Sequence, residues 1–256
     1  MRGRVEKYYA EKVASQGALL FSLIDPDKSY SEKGAEMARK SEQAGADAIL
    51  VGGSIGAQGS ELDETVKMIK ESVSLPVILF PGNISGLTKY ADAVYFMHML
   101  NSRDLYWLSM AQIQAAPVVA RMGIEAIPTT YLVVEPGRTV GWVGNANLLP
   151  RERPDLAAAC ALAARFSGSH VLIADSGSGA PEPTPSTLLG AMSKAIAGSE
   201  VFLFSAGGVR TPQQAQEAIE AGAHGIQVGT AFESGDIEKK IKGMKEAVKK
   251  AGKKRV

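Results

Sequence analysis

Eight short apolar, β-rich runs recur along this chain, and helix-periodic segments separate most of them. The runs are Leu19–Ile24, Ala48–Val51, Val77–Phe80, Ala93–Phe96, Ala126–Leu132, Val171–Ala174, Val201–Phe204 and Ile226–Val228. Between them lie SEKGAEMARKSEQAGA, ELDETVKMIKESV, RDLYWLSMAQIQAAPVVARMG, RPDLAAACALAARFSG, TPSTLLGAMSKAIAG and TPQQAQEAIEAG, each with apolar residues at i, i+3 or i+4. Asp104, Thr184 and Thr211 read as helix starts, and Gly123, Gly198 and Gly222 as helix stops. Strand–helix alternation implies parallel strands, and eight such units are the number that closes a barrel. At 256 residues the chain is of the length that such a barrel takes as one domain. The predicted fold is therefore an α/β, modified TIM (β/α)8 barrel spanning 1–256.

Two irregularities stand out. Only PGNISGLTKYAD separates the third run from the fourth, too little for a barrel helix with its turns, so a degenerate helix and a groove in the outer ring are expected there. Val133 to Arg153 is a long link rich in Gly, Pro and Asn, the kind of segment that serves as a functional loop. There is also an internal echo, since AGADAILVGGS at Ala44–Ser54 resembles AGAHGIQVGTA at Ala221–Ala231.

Composition narrows the function. Lys plus Arg number 28 against 27 acids, so a net charge of +1 offers no field for nucleic acid, and no nucleic-acid signature occurs. The basic tail KKIKGMKEAVKKAGKKRV from Lys239 reads either as a solvated helix end whose cations suit the helix dipole or as a peripheral contact with an anionic membrane. Cys160 is the single cysteine and sits in an apolar helical context. With no secretory apolar region and no apolar run of about 18 residues, a cytoplasmic, non-spanning protein is expected. His98, His170 and His224 show no ligand spacing, which disfavours zinc. Dinucleotide, P-loop and nucleophile-elbow motifs are absent.

Barrel sites lie at the C-terminal ends of the strands. Ala206-Gly207-Gly208 and Gly229-Thr230 follow the seventh and eighth runs, one helix apart, where bare backbone N–H groups form a phosphate cradle; as isolated motifs they also read as tight turns. Ser176-Gly177-Ser178-Gly179, after the sixth run, adds donors beside it. Asp175 is the carboxylate placed to accept a proton from a ligand hydroxyl, or to orient that hydroxyl by hydrogen bonding. Across the mouth, Asp25 and Ser54 end the first two runs as hard oxygens suited to Mg2+, which takes one or two protein oxygens and completes its shell with water and phosphate; Asp25-Pro26-Asp27 also reads as a helix-starting turn.

LIDPDK, VGGS, LFPGN, ADAVYFMHMLNSR, IPTTYLVVEPGRTVGWVG, DSGSGAPEP, GGVRTPQQA and VGTAFE, in that order along nearly the whole chain, resemble the geranylgeranylglyceryl phosphate synthase family. The resemblance implies a Mg2+-dependent prenyltransferase on a modified TIM barrel. It joins sn-glycerol 1-phosphate to geranylgeranyl diphosphate in archaeal lipid synthesis. Carried over, it assigns the metal to Asp25 and Ser54, and glycerol phosphate to Ile173, Ala174, Asp175, Ser176, Gly177, Ser178, Gly179, Gly207, Gly208, Gly229 and Thr230. Tyr131 stands on the prenyl diphosphate side. Tyr106 and Trp107, beside the gap between the third and fourth strands, read either as prenyl contacts or as core and subunit-contact aromatics. A homo-oligomer is implied as well. The family usually reads Tyr-Leu-Glu-Ala-Gly-Ser-Gly where this chain has Ile173 to Gly179, and three glycines where it has Ala206-Gly207-Gly208. A longer-chain prenylglyceryl phosphate synthase and a sugar-phosphate isomerase or lyase are the competing activities.

Overall fold

Every second residue of the strands is apolar on one side and apolar again on the other, the pattern of a parallel sheet buried on both faces. The computed structural model describes residues 2–255 except 54 and 57. In it β1 (Leu19–Ile24), β2 (Ala48–Gly53), β3 (Val77–Pro81), β4 (Ala93–Met99), β5 (Glu125–Val133), β6 (Val171–Asp175), β7 (Phe202–Ala206) and β8 (Gly225–Val228) pair in parallel and in sequence order. β8 returns to β1, with Leu19 opposite Gly225, and closes the barrel. The two echoing segments supply β2 and β8, which flank β1 on either side.

Two apolar layers follow from the alternation. Leu19, Phe21, Leu50, Ile78, Tyr95, Ile127, Ile173 and Phe204 point inward and fill the barrel. Leu20, Ile49, Leu79, Leu172, Leu203 and Ile226 point outward against the helices. The helices are α1 (Arg4–Gln16), α2 (Glu32–Gln43), α3 (Gly59–Ser72), α4 (Ala111–Met122), α5 (Arg138–Val143), α6 (Pro154–Phe166), α7 (Ser186–Ala195), α8 (Pro212–Glu220) and α9 (Ile237–Gly252).

Helix α1 answers to no periodic segment singled out in the sequence. It plugs the N-terminal end of the barrel: Tyr9 is wholly buried, 5.2 Å from the Phe21 ring and 5.9 Å from that of Phe204. The Glu125 carboxylate holds its first turn by accepting from the N–H groups of Val5 and Glu6. Lys245 of α9 ties the same end together, donating to both carboxylate oxygens of buried Asp47, which also accepts from Leu20 N–H and Gln16.

Thr211 caps α8 in a complete capping box with Gln214. Thr184 does not cap α7; its hydroxyl turns inward to Ser176 at 3.1 Å, and the helix begins after Pro185. The long link after β5, expected from its composition to be a loop, carries α5.

Between β3 and β4 the outer ring is open, as the short spacer requires. Residues 82–92 hold no α-helix, only a short 3-10 turn at Ile84–Gly86 and a further turn at 89–90. The outer face of β4, with Val94 and Phe96, is therefore covered by no helix of its own and looks onto Leu87 and the α4 residues Ala111 and Ala115.

Candidate active site

The last inward residue of β6 is Asp175, and strand stagger places it beside Tyr131 of β5, two residues before its ladder partner Val133. The Tyr131 hydroxyl donates to Asp175 Oδ2 at 2.6 Å, and Gly177 N–H donates to Oδ1 at 2.6 Å. Only 7% of Asp175 is exposed. Burial pushes its carboxyl above the ordinary carboxylate range, while the two donors, which favour the ionised form, oppose that rise. Burial and the neighbouring carboxylate hold the Tyr131 phenol far above its ordinary value, so the proton stays on the tyrosine. Asp175 is thus an oriented carboxylate with raised basicity, suited to taking a proton from a substrate hydroxyl.

Beside it, the loops after β6, β7 and β8 enclose a cradle lined by Ser178, Gly179, Gly207, Gly208, Gly229 and Thr230. The N–H groups of Gly207, Gly208 and Gly229 have no acceptor among the described residues. Gly207 has φ +72°, and a Cβ there would collide with Asp175 Oδ1 and the backbone of Gly177. Glycine is therefore required both for the turn and for the approach of an anion. The Ser178 and Thr230 hydroxyls meet at 2.9 Å across the opening. Arg210, part of the quoted GGVR segment but not singled out, also lines the cradle and pins the loop after β6 by donating to Pro181 and Gly179 carbonyls.

Three residues assigned to glycerol phosphate lie back from this surface. Ile173 is buried inside the barrel below Asp175, Ala174 is buried in the outer layer, and Ser176 is fully buried with its hydroxyl on Thr184. Gly177 serves the site through its N–H to Asp175.

Across the mouth, Lys28 donates to Asp25 Oδ2 at 3.0 Å and to Glu233 at 2.8 Å. Asp25 Oδ1 is buried with no partner among the described residues. That oxygen and Asp27 Oδ1 each lie 3.6 Å from where a Cβ on Gly53 would stand, so glycine leaves the space in front of them open. Burial raises the Asp25 carboxyl and Lys28 counters it. Among the described residues no cluster of three or more His, Cys, Asp or Glu side chains is arranged to cage a metal. An orphaned carboxylate oxygen fits an ion held by few protein ligands, as Mg2+ is. Ser54 lies outside the described residues.

From this mouth a second, larger cleft runs over the edge between β3 and β4 onto the outer face of β4, where Val94 is buried and Phe96 half-buried. It encloses about 1130 Å3 open to solvent, against about 540 Å3 for the cradle, and is lined by Phe80, Leu87, Val94, Phe96, Trp107 and Ala115 among others. Trp107 lines it directly; Tyr106 stands behind, edge-on to Trp107 with ring centroids 4.8 Å apart. Phe80 stands edge-on to both Tyr95 and Tyr131. Leu23, Asp25, Phe80, Asp175 and Ser178 border cleft and cradle alike.

A closed (β/α)8 barrel with a glycine cradle after β7 and β8 and an apolar cleft joined to it defines a phosphate-binding barrel built for one anionic and one long apolar ligand. The PcrB family model matches residues 14–248, and the chain belongs to that family. It is 48% identical over 245 residues to geranylgeranylglyceryl phosphate synthase of Thermococcus gammatolerans, covering 95% of this chain and 96% of that one. The same enzyme of Thermococcus kodakarensis is 49% identical over 238 residues, 93% of each chain. Among solved structures, (S)-3-O-geranylgeranylglyceryl phosphate synthase from Thermoplasma acidophilum, in complex with substrate sn-glycerol-1-phosphate, superposes with a TM-score of 0.91 at 34% identity, covering 98% of this chain and 100% of that one.

Proposed function

We propose that this chain transfers the geranylgeranyl group of geranylgeranyl diphosphate to the C3 hydroxyl of sn-glycerol 1-phosphate, giving 3-O-geranylgeranyl-sn-glyceryl 1-phosphate and diphosphate. The observation that carries the reading is the shared border of cleft and cradle, which sets Asp175 and Asp25 between an apolar channel and a phosphate seat. The sequence and structural relatives named above support it.

The cradle N–H groups and the Ser178 and Thr230 hydroxyls bind the phosphate of the glycerol substrate. The prenyl tail lies along Phe80, Val94, Phe96 and Trp107, and its diphosphate faces Asp25. As the new C–O bond forms at the allylic carbon, the bond to diphosphate breaks, and Asp175 takes the proton of the attacking hydroxyl. Tyr131 orients Asp175 by donating to its carboxylate, a bond that favours the ionised form. Asp25, with Ser54, would hold Mg2+, which when bound would supply neutralisation of the charge on the departing diphosphate. Apolar Leu23 and Phe80, which border cleft and cradle alike, limit the access of water to the allylic carbon.

The same reading includes a cytoplasmic enzyme and a homo-oligomer. Among the described residues no helix is long and apolar enough to cross a membrane. Trp142 is 84% exposed, and Leu105, ahead of α4, and Ile113, within it, stand exposed; these apolar side chains support burial against a second copy. Peripheral membrane contact through exposed lysines of α9 is compatible with an enzyme whose product is a lipid.

The test is incubation of purified protein with sn-glycerol 1-phosphate, Mg2+ and prenyl diphosphates of graded length. Ether product that peaks with the geranylgeranyl donor is expected. No ether at any length rejects the activity, and a maximum at a longer donor reassigns the substrate.

A further inference from the structure

One polar side chain inside the barrel belongs to no part of this mechanism. Gln227 is the inward residue of β8 opposite Ala206 and Phe21, in a layer otherwise filled by Phe21, Phe204 and Ala206. It is 3% exposed, and it lines the cradle between Gly207 and Gly229. Its Nε2 donates to the Tyr95 hydroxyl at 3.0 Å, which fixes the carboxamide plane and directs the carbonyl end away from Tyr95. The carbonyl oxygen Oε1 is buried and has no partner among the described residues.

A buried amide oxygen left without a donor is unfavourable, and such atoms in native interiors call for a partner the protein itself does not provide. An amide oxygen only accepts, so the missing partner carries an O–H or N–H and is not a phosphate oxygen. The glycerol substrate has two hydroxyls. Asp175 takes the reacting one at C3, which leaves the C2 hydroxyl as the donor without an assigned acceptor.

We propose that Gln227 Oε1 accepts a hydrogen bond from the C2 hydroxyl of bound glycerol phosphate and so fixes which hydroxyl is presented to Asp175. Gln227 is then a specificity residue of the cradle. The assignment rests on the activity proposed above.

The test compares sn-glycerol 1-phosphate with 3-hydroxypropyl phosphate, which lacks only the C2 hydroxyl, in the wild-type protein and in Gln227→Met. A neutral hydrogen bond lost from a buried site corresponds to about a tenfold change. Wild type is expected to lose about that factor in kcat/KM on the deoxy substrate. Gln227→Met is expected to lose a similar factor on glycerol phosphate and to use the deoxy substrate as wild type does. Equal losses by Gln227→Met on both substrates assign Gln227 to the core alone and overturn the proposal. Direct titration of wild type with the two phosphates needs no variant, and equal affinities overturn it too. Failure of wild type to form any ether from glycerol phosphate sinks the activity instead, and titration of both wild type and Gln227→Met with the two phosphates still decides whether Gln227 reads the C2 hydroxyl.

Discussion

The Tyr131 hydroxyl lies 2.6 Å from Asp175 Oδ2, across the seam between β5 and β6. The phenol keeps its proton, and its hydrogen bond favours the ionised form of a carboxyl that burial pushes up. Tyr131→Phe removes a bond made to the ionised form and so raises the Asp175 carboxyl further. In the proposed mechanism the ionised carboxylate takes the proton, so the acidic limb of the kcat/KM profile is expected to move to higher pH in the variant. Asp175→Asn is expected to lower kcat by about 10²- to 10⁴-fold while leaving the affinity for glycerol phosphate nearly unchanged. A pH–rate series on both proteins measures this, and an unmoved acidic limb removes Tyr131 from the role.

Gly207 and Gly179 both have positive φ but differ in what surrounds them. At Gly207 a methyl group meets Asp175 and Gly177, whereas at Gly179 nothing lies within 4 Å. Gly179→Ala is expected to cost only the left-handed backbone term, roughly 1–2 kcal/mol of stability. Gly207→Ala is expected to cost more and also to abolish binding of inorganic phosphate. Thermal unfolding together with phosphate titration separates the two.

His224 reports on the acid stability of the barrel. Its Nδ1 accepts from Leu203 N–H at 3.0 Å, and burial, with Arg255 nearby, lowers the imidazole to about 4. The folded protein thus binds the proton less readily than the unfolded chain, whose histidines titrate near 6.5. The stabilisation is complete above the unfolded value and is lost as the pH falls from about 6.5 towards 4, amounting to about 3 kcal/mol at the low end. Urea unfolding over that range is expected to show the slope, and His224→Asn to flatten it.

Lys245 and Asp47 form a largely buried ion pair, with side-chain exposures of 15% and 4%. Lys245→Met leaves the Asp47 charge with only Gln16 and Leu20 N–H, and is expected to lose about 3–5 kcal/mol. Adding Asp47→Asn removes the stranded charge and is expected to recover part of that loss in the same chemical-denaturation measurement.

Asp25→Ala is expected to abolish turnover, and treatment with a chelator to do the same to wild type, with Mg2+ restoring only the wild type. Far-ultraviolet circular dichroism that is unchanged in the variant keeps the effect local. Wild-type-like turnover by Asp25→Ala removes the residue from the metal site.

The strands were legible because buried parallel strands are continuous apolar runs bounded by Gly and Asp, and the open ring between β3 and β4 was legible from spacer length alone. Helix α1 was not. Its role depends on Tyr9 meeting Phe21 and Phe204 across distant strands, which no local periodicity displays. Helix α5 is a single short helix between glycines, Gly137 and Gly144, and resembles loop by composition. In the site, the glycines and Asp175 could be placed because they follow strands directly. Tyr131 could be placed at the mouth but not on Asp175, since that contact depends on the stagger between β5 and β6. Gln227 carries one weak signal, a single amide within the apolar run Ile226 to Val228, and its unpartnered oxygen is visible only once the barrel is closed.

The open ring between β3 and β4 also bears on how this fold changes its substrates. The interior of an eight-stranded barrel is packed solid, so enlarging a ligand there means hollowing out the centre that keeps the domain folded. Here the apolar cleft proposed for the prenyl chain lies against the outside wall, on Val94, Phe96 and the α4 residues Ala111 and Ala115. Substitutions along that wall can lengthen or shorten the berth at little cost to the closed sheet behind it, which leaves donor size free to drift while the polar chemistry at the rim stays fixed.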